Sequence, residues 1–384
     1  MIRIRNNKLF NKIINSFLYS SYLCGLKNIT QMKVIAQQCN VYKSENLTCD
    51  LNEILQPWTP EQIFLLCDTG SFSNCSRYIE CVDKITPNHT IVIEQGDDHK
   101  NVETAMQIWN FLAQNGATRK SVLINLGGGM VCDLGGFCAS TFKRGISFIN
   151  IPTTVLAQVD ASLGGKTGMN LGSLKNEIGV FNLAHAVLIS DVFLASLDRE
   201  QLLSGYAEMI KHGIIKDAGY LQRLMNYDFD NIDYALLCDL ICESILIKNT
   251  FVEADPHENG VRKALNVGHT IGHAIETMSM RHNSVVPHGY AVAWGIVGEL
   301  WLANMMKGLD GTFVEKMEEY IFGLYGNVTF GEQCFDELLE LMYHDKKNDS
   351  RGINFTLIPQ VGDMAINQIG TPEDIKVVLK KMIR

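Results

Sequence analysis

Ser121-Val122-Leu123-Ile124-Asn125-Leu126-Gly127-Gly128-Gly129-Met130-Val131-Cys132-Asp133-Leu134-Gly135-Gly136 is the most telling stretch of the chain for its fold. Its first residues form an apolar run broken only by Asn125, the pattern of a strand buried on both faces of a parallel sheet. Three glycines then make a turn, and the small residues beyond them can enter a helix. Such a strand-to-helix turn lets backbone approach a pyrophosphate, whose charge is favoured at a helix N-terminus. The same glycines suit any tight loop, so the turn gains meaning from its neighbours.

Apolar runs at 63–67, 90–93, 121–126, 147–151 and 186–189 read as strands of one parallel sheet, alternating with helical stretches. From Asp198 onward the pattern turns helical, over 199–216, 234–253, 261–278, 289–306 and 335–343. No internal repeat or low-complexity linker is visible. With 384 residues the chain can bury two cores, and the change of pattern puts the boundary near residue 195. Domains at 32–195 and 196–384 are therefore expected, with the chemistry in the cleft between them.

Hydrophobic content of 46% and charged content of 20% describe a globular protein rather than a disordered one. A net charge of -9 argues against nucleic acid as a partner and makes local clusters of cations more telling. Eleven cysteines without a Cys-x-x-Cys pair suit thiols in a reducing, cytoplasmic setting. Cys238 and Cys242, four apart on a helix, read as small core residues. Residues 1–31 hold five Lys or Arg and no Asp or Glu. Their apolar residues are broken by Asn and Ser, so no membrane span forms there, and composition alone leaves a transit peptide open.

Three further motifs carry chemistry. Ile151-Pro152-Thr153-Thr154, with Asp160 and then Gly164-Gly165-Lys166-Thr167, supplies hydroxyls, a carboxylate and an ammonium beside exposed backbone. This is not a Walker loop, because the first glycine of that pattern is missing. Ser204-Gly205-Tyr206-Ala207-Glu208-Met209-Ile210-Lys211 places Glu208 and Lys211 on one helix face. Asn266-Val267-Gly268-His269-Thr270-Ile271-Gly272-His273 is followed by His288. Two histidines at i, i+4 can reach a common metal or anion, although Thr270 replaces the catalytic Glu of helical zinc proteases. Glu208 could complete a Glu/His/His set with His269 and His288, the composition of catalytic zinc sites.

With these motifs in view, the chain resembles the 3-dehydroquinate synthases, sugar-phosphate cyclases of the shikimate pathway. Gly-Gly-Gly-x-x-x-Asp, Pro-Thr-Thr, Val-Asp-x-Ser-x-Gly-Gly-Lys-Thr, Lys-Asn-x-Ile-Gly, Ala-Glu-x-Ile-Lys and Asn-x-Gly-His-Thr-x-Gly-His appear in family order. The similarity runs from about Met32 to about Gly362, and because family members of bacterial type begin close to Met32, it implies that residues 1–31 are a non-native extension with little order. It implies an α/β, Rossmann-like nucleotide-binding N-terminal domain and an all-α C-terminal domain for metal and substrate.

Carried over residue by residue, the resemblance implies an NAD site of Asp68, Asp97, Lys100, Gly128, Gly129, Asp133, Thr153, Thr154, Asp160 and Lys175. Asp97 stands where the family usually has Glu. Glu208, His269 and His288 are implied as ligands of zinc or cobalt. Lys166, Asn176, Lys211, Lys248, Arg262, Asn266, His273 and one of Lys346 or Lys347 are implied around a phosphorylated sugar-acid substrate. Arg144 matches an arginine that family homodimers lend to the partner's site. The resemblance thus divides the i, i+4 pair, with His269 on metal and His273 beside substrate. The segment Asp255-Pro256-His257-Glu258 departs from many relatives, and Pro256 restricts its turn, so it is left outside the implied site.

The implied reaction converts 3-deoxy-D-arabino-heptulosonate 7-phosphate to 3-dehydroquinate and phosphate, with NAD oxidising and then re-reducing the substrate around the phosphate elimination. Three alternatives remain open on sequence: another sugar-phosphate cyclase, a metal-dependent NAD alcohol dehydrogenase, and a non-catalytic NAD-binding module.

Overall fold

The computed structural model describes residues 33–36, 40–172, 174–343 and 352–383. The expectations for residues 1–31 and for Lys346 and Lys347 lie outside the described residues. The chain divides after Ser196 into two compact units.

The first unit runs β1 (Lys33–Ala36), β2 (Val41–Lys43), α1 (Leu47–Ile54), β3 (Ile63–Asp68), α2 (Thr69–Cys75), β4 (Thr90–Ile93), α3 (Val102–Gln114), β5 (Val122–Gly127), α4 (Gly129–Thr141), β6 (Ser147–Pro152), β7 (Lys166–Leu171), β8 (Leu174–Phe181) and β9 (Ala186–Ile189). One sheet takes the order β1-β2-β9-β6-β5-β3-β4. Its pairs are parallel except β1 against β2. The five strands expected from apolar runs all lie in this sheet. The short β1 and β2 and the β7–β8 hairpin were not expected, because β1 and β2 offer at most three apolar residues in a row and polar residues and Gly interrupt β7 and β8.

The strand order reverses between β3 and β5: from β3 the chain steps outward to β4, whereas from β5 it steps the other way through β6 to β9. In an open α/β sheet the crevice for a ligand opens at the carboxyl ends of strands flanking such a reversal. Asp68 ends β3 and Gly127 ends β5, so two of the expected cofactor segments begin there. One face of the sheet is filled by Leu51, Leu55, Ile63, Leu65, Ile124, Ile149 and Leu188. On the other, α4 lies close over β5, because a Cβ on Gly135 would stand 2.1 Å from Asn125 Oδ1 and 2.8 Å from Leu66 Cδ2. Asn125, wholly buried, donates through Nδ2 to Asn150 Oδ1 on the neighbouring strand (2.9 Å).

The second unit comprises α5 (Arg199–Lys216), α6 (Ala218–Met225), α7 (Tyr234–Ala254), α8 (His269–Arg281), α9 (His288–Lys307), α10 (Gly311–Tyr325), α11 (Phe335–Tyr343), β10 (Ile353–Leu357), β11 (Ala365–Gly370) and α12 (Pro372–Met382). Aspartates set several starts: Asp198, Asp217 and Asp233 accept from the third residue of α5, α6 and α7. In α9, Ala291-Val292-Ala293-Trp294-Gly295-Ile296-Val297 is buried throughout, the pattern of a helix enclosed on all sides.

Two expectations need correction here. The helix expected over 261–278 is broken: a short 3-10 turn spans Val261–Asn266, and α8 starts only at His269. Gly268 sits between them at φ +82, where its missing Cβ would also strike Ile296 Cγ1 at 2.5 Å. The unit is also helical rather than all-α, since β10 and β11 pair as an antiparallel hairpin. Ile353, Phe355 and Leu357 are buried at every second position, a strand period that a search for helical spacing passes over. Among the described residues no helix is long and apolar enough to cross a membrane.

The seat of α4 on the sheet yields a direct test. Gly135→Ala should destabilise the protein by about 1–3 kcal/mol through overpacking against Asn125 and Leu66. Chemical denaturation read by circular dichroism checks it, and an unchanged midpoint would show that α4 can lift without cost.

Candidate active site

In the first unit, α4 begins directly after the glycine turn, with Gly128 as its capping residue and no side chain over its first N–H groups. A Cβ on Gly129 would stand 3.1 Å from Ala161 Cβ, and one on Gly128 3.4 Å from Thr154 Cγ2. Gly128 and Gly129 are half-buried, with Thr154 and Ala161 close beside them, at a helix start where a pyrophosphate would be favoured. Thr153 is tied to this turn, its N–H donating to Gly127 O (2.9 Å). Asp160 lies in the short π-helical segment Ala157–Ala161 that follows. At the end of β3, Asp68 caps α2 through Oδ1, which accepts from Ser71 N–H (2.6 Å) and Ser71 Oγ (2.9 Å).

Beside these, the structure joins residues that the sequence places far apart. Buried Lys100 donates to Asp133 Oδ2 (2.6 Å) on α4 and to Asn176 Oδ1 on β8. Lys175 lies 3.3 Å from Asp97 Oδ2. Asn170, which sequence reading missed, links the two pairs: its Nδ2 donates to Asp97 (3.3 Å) and its Oδ1 accepts from Asn176 N–H (3.0 Å). Asn176 holds φ 54, uncommon for a residue with a side chain, and that turn brings its amide to Lys100. Lys166 is exposed at the start of β7. Arg144 lines a separate, polar cavity of about 640 Å³ with Arg119, Phe181, Asn182, Leu183 and His185. Burial pushes the Cys75 thiol up to about 11, and those of Cys67, Cys132 and Cys138 higher still, so these thiols are not nucleophiles at neutral pH.

The second unit gathers Glu208, His269, His273 and His288. Glu208 and Lys211 are both buried on α5, with Lys211 Nζ bonded to Glu208 Oε2. Glu208 Oε1 is also buried and accepts no hydrogen bond from a described residue. It faces His269 Nε2 at 3.5 Å and His288 Nε2 at 4.0 Å. Ligands held about 2.1 Å from a tetrahedral ion stand roughly 3.4 Å apart, so the separation to His269 matches one shared metal and that to His288 is about half an ångström longer. His269 Nδ1 is 3.2 Å from Val267 O, and His288 Nδ1 is 3.1 Å from Glu276 Oε2. Both partners only accept, so each Nδ1 carries the proton and each Nε2 offers its lone pair.

A second grouping competes with this one, because ring nitrogens of His269, His273 and His288 all lie within 4.8 Å of one another. Three neutral histidines would leave Glu208 Oε1 a buried anionic oxygen without a counter-charge on that side, which is costly. The geometry therefore favours Glu208, His269 and His288 as the donor set, with His273 at its edge.

The other expected substrate residues described in this unit are Lys248, Arg262 and Asn266. Lys248 is buried on α7. Arg262 is buried as well, its Nη1 donating to Pro256 O (2.7 Å). Asn266 Nδ2 donates to Glu258 Oε1 (2.6 Å). Asp255 accepts from the N–H groups of Asn259, Gly260 and Arg262. Desolvation opposes ionisation of Asp255, but these donors and the Arg262 charge together hold its carboxyl below the usual range. The 255–258 segment, set aside for its proline, thus organises both Arg262 and Asn266. Its role was hidden because Pro256 contributes a carbonyl, not a side chain.

These placements can be set beside known proteins. Residues 90–204 match the family model described as 3-dehydroquinate synthase N-terminal, and residues 205–348 the one described as 3-dehydroquinate synthase C-terminal. The chain belongs to the 3-dehydroquinate synthase family. It is 45% identical over 331 residues to a 3-dehydroquinate synthase of Parabacteroides distasonis, which covers 86% of this chain and 94% of that relative. In fold it is similar to a 2-deoxy-scyllo-inosose synthase solved with carbaglucose-6-phosphate, NAD+ and Co2+ (TM-score 0.77, 22% identity, 89% of this chain and 96% of that one). It is also similar to the 2-epi-5-epi-valiolone synthase of Streptomyces hygroscopicus with NAD+ and Zn2+ bound (TM-score 0.76, 20% identity, 93% of this chain and 99% of that one). Both likenesses bear out an α/β, Rossmann-like fold followed by a helical part.

Within this member of the 3-dehydroquinate synthase family, the seat of His269 depends on Glu299 of α9. That carboxylate is buried and accepts from Gly268 N–H (2.7 Å), Thr270 N–H (3.1 Å) and Ile271 N–H (3.4 Å). Glu299→Gln turns one acceptor oxygen into a donor facing another donor. It should cost about 1–3 kcal/mol of stability. Denaturant midpoints with unchanged slope would check this, and an equal midpoint would show that the grip is dispensable.

Proposed function

We infer that the chain catalyses the 3-dehydroquinate synthase reaction, converting 3-deoxy-D-arabino-heptulosonate 7-phosphate to 3-dehydroquinate and phosphate in the shikimate route to aromatic amino acids. The enzyme is a carbon-oxygen lyase. The observation that carries the reading is the orphaned Oε1 of Glu208 facing two oriented histidines, in a unit that also buries Lys211, Lys248 and Arg262.

The first unit is the NAD-binding domain on this reading, and the second holds metal and substrate. The N-terminus of α4 at Gly128 and Gly129 receives the pyrophosphate. Asp68, Asp97 and Lys100 face the adenosine ribose, while Asp133, Thr153, Thr154, Asp160 and Lys175 complete the cofactor site. Glu208, His269 and His288 hold a zinc or cobalt ion. When bound, NAD supplies a hydride acceptor that is restored within the turnover, and the metal supplies Lewis-acid polarisation.

The protein's own groups then have a modest task. Lys211 holds Glu208 Oε2 and so directs Oε1 to the metal. Lys166, Asn176, Lys248, Arg262, Asn266 and one of Lys346 or Lys347 neutralise and orient a substrate bearing a carboxylate and a phosphate. His273, whose ring contacts those of His269 and His288, faces the substrate and its phosphate. Fixing the anion in one pose converts ring closure into a near-unimolecular step, so few acid–base groups are needed.

We place the enzyme in the cytoplasm, where buried thiols stay reduced. A homodimer is the assembly this reading favours, with Arg144 contributed to the partner's site. Its support is that Phe181 and Leu183, both exposed apolar residues, line the cavity that holds Arg144.

The test is a single assay on the purified, zinc-loaded chain: phosphate release from the heptulosonate, with absorbance followed at the NADH band. One phosphate per substrate and no accumulating NADH is expected, and His269→Ala should lose bound metal and turnover together. NADH released in step with substrate, without phosphate, would make the protein an alcohol dehydrogenase instead. Turnover of a hexose phosphate but not of the heptulosonate would make it another sugar-phosphate cyclase.

A further inference from the structure

One buried carboxylate of the second unit is used neither for metal nor for substrate. Glu276 lies on α8 at i+7 from His269 and i+3 from His273, so all three share a helix face. It is 4% exposed, where an ionised carboxylate persists only with a partner. Its Oε2 lies 3.1 Å from Nδ1 of His288.

His288 differs from His269 in what orients it. The ring of His269 is set by a backbone carbonyl, that of Val267, which no substitution removes. His288 is the first residue of α9, and its side chain is 28% exposed. Packing alone leaves such a ring able to turn over about χ2 and present either nitrogen. Glu276 prevents this by accepting the Nδ1 proton, so that Nε2 stays on the side of Glu208 Oε1. The intervening turn is shaped to bring the two together: Ser279 Oγ donates to Glu276 O (2.7 Å) and accepts from Val286 N–H (3.2 Å). Ser284 N–H donates to Ser279 O (2.9 Å) and closes the same turn.

We propose that Glu276 is a positioning residue that fixes the tautomer and orientation of His288 and thereby sets how tightly the Glu208, His269 and His288 site holds a divalent metal. The inference rests on the metal reading given above. A carboxylate behind a metal-bound histidine both orients the ring and raises its basicity, and removing one weakens metal binding about 10–100-fold.

The experiment loads the full chain with zinc and challenges it with a chelator series, comparing the wild type, Glu276→Gln and Glu276→Ala. Glu276→Gln keeps the shape of the side chain but can present its amide group to Nδ1. The wild type should retain one zinc per chain, and both variants should release it at about 10–100-fold lower chelator strength. At saturating zinc the Gln variant should recover turnover, which separates positioning from direct contact with substrate. A role confined to packing predicts the opposite pattern, with a lower melting temperature of the zinc-free chain and unchanged zinc affinity, and that result overturns the proposal.

If the wild type itself holds no zinc, the metal reading fails and takes this inference with it. Should neither variant fold, nitrogen-15 spectra of the wild-type histidines decide the matter. A proton on Nδ1 of His288 supports the assignment, and a proton on Nε2 refutes it.

Discussion

The second unit depends on one buried carboxylate placed across two helices. Glu299, from the middle of α9, receives the first backbone N–H groups of α8. An unpartnered carboxylate at that depth would cost several kcal/mol, and unpartnered helix N–H groups would add to it. The contact therefore locks the start of α8, where His269 stands, to the body of α9. Glycines permit the close approach, since a Cβ on Gly295 would come within 2.0 Å of Gly268 O. Gly268 must also turn the chain with positive φ between the 3-10 segment and the helix. Through Glu276, α8 in turn steadies the first residue of α9, so each helix orients the start of the other.

On the proposed reading, both units place chemistry at helix starts. In the first, α4 begins at the glycine turn beside the reversal of strand order, and its N-cap Gly128 makes no side-chain cap bond. In the second, α8 begins at His269 and α9 at His288. A helix N-terminus offers donors and a positive field, which suits anions directly and gives a ligand residue there a well-fixed backbone. The cost of these arrangements is paid in glycine and in buried polar pairs, such as Asn125 with Asn150 under α4.

Much of this was legible in the chain itself, for a physical reason. Fully buried strands such as Ile63–Asp68 and Ala186–Ile189 are continuous apolar runs, and α5 follows its aspartate cap to Lys216. Residues whose type restricts their job, including the glycines of the turn and the histidines of α8, lie in short local motifs. What escaped notice depends on which elements face one another. Glu276, Glu299, Glu258 and Asn170 look like ordinary surface residues until the fold brings each against a distant partner. The break at Gly268 was hidden because helical spacing of apolar residues continues across it, and the hairpin of β10 and β11 because it follows a long helical region.

On the proposed reading the enzyme takes a hydride from its substrate and returns it within one turnover, with no net oxidation. Substrate carrying deuterium at C5 tests this most directly, by mass spectrometry of the product and of the cofactor pool. The account predicts that the deuterium returns to the same carbon of 3-dehydroquinate. Deuterium lost to solvent, or found in cofactor released from the enzyme, would contradict it.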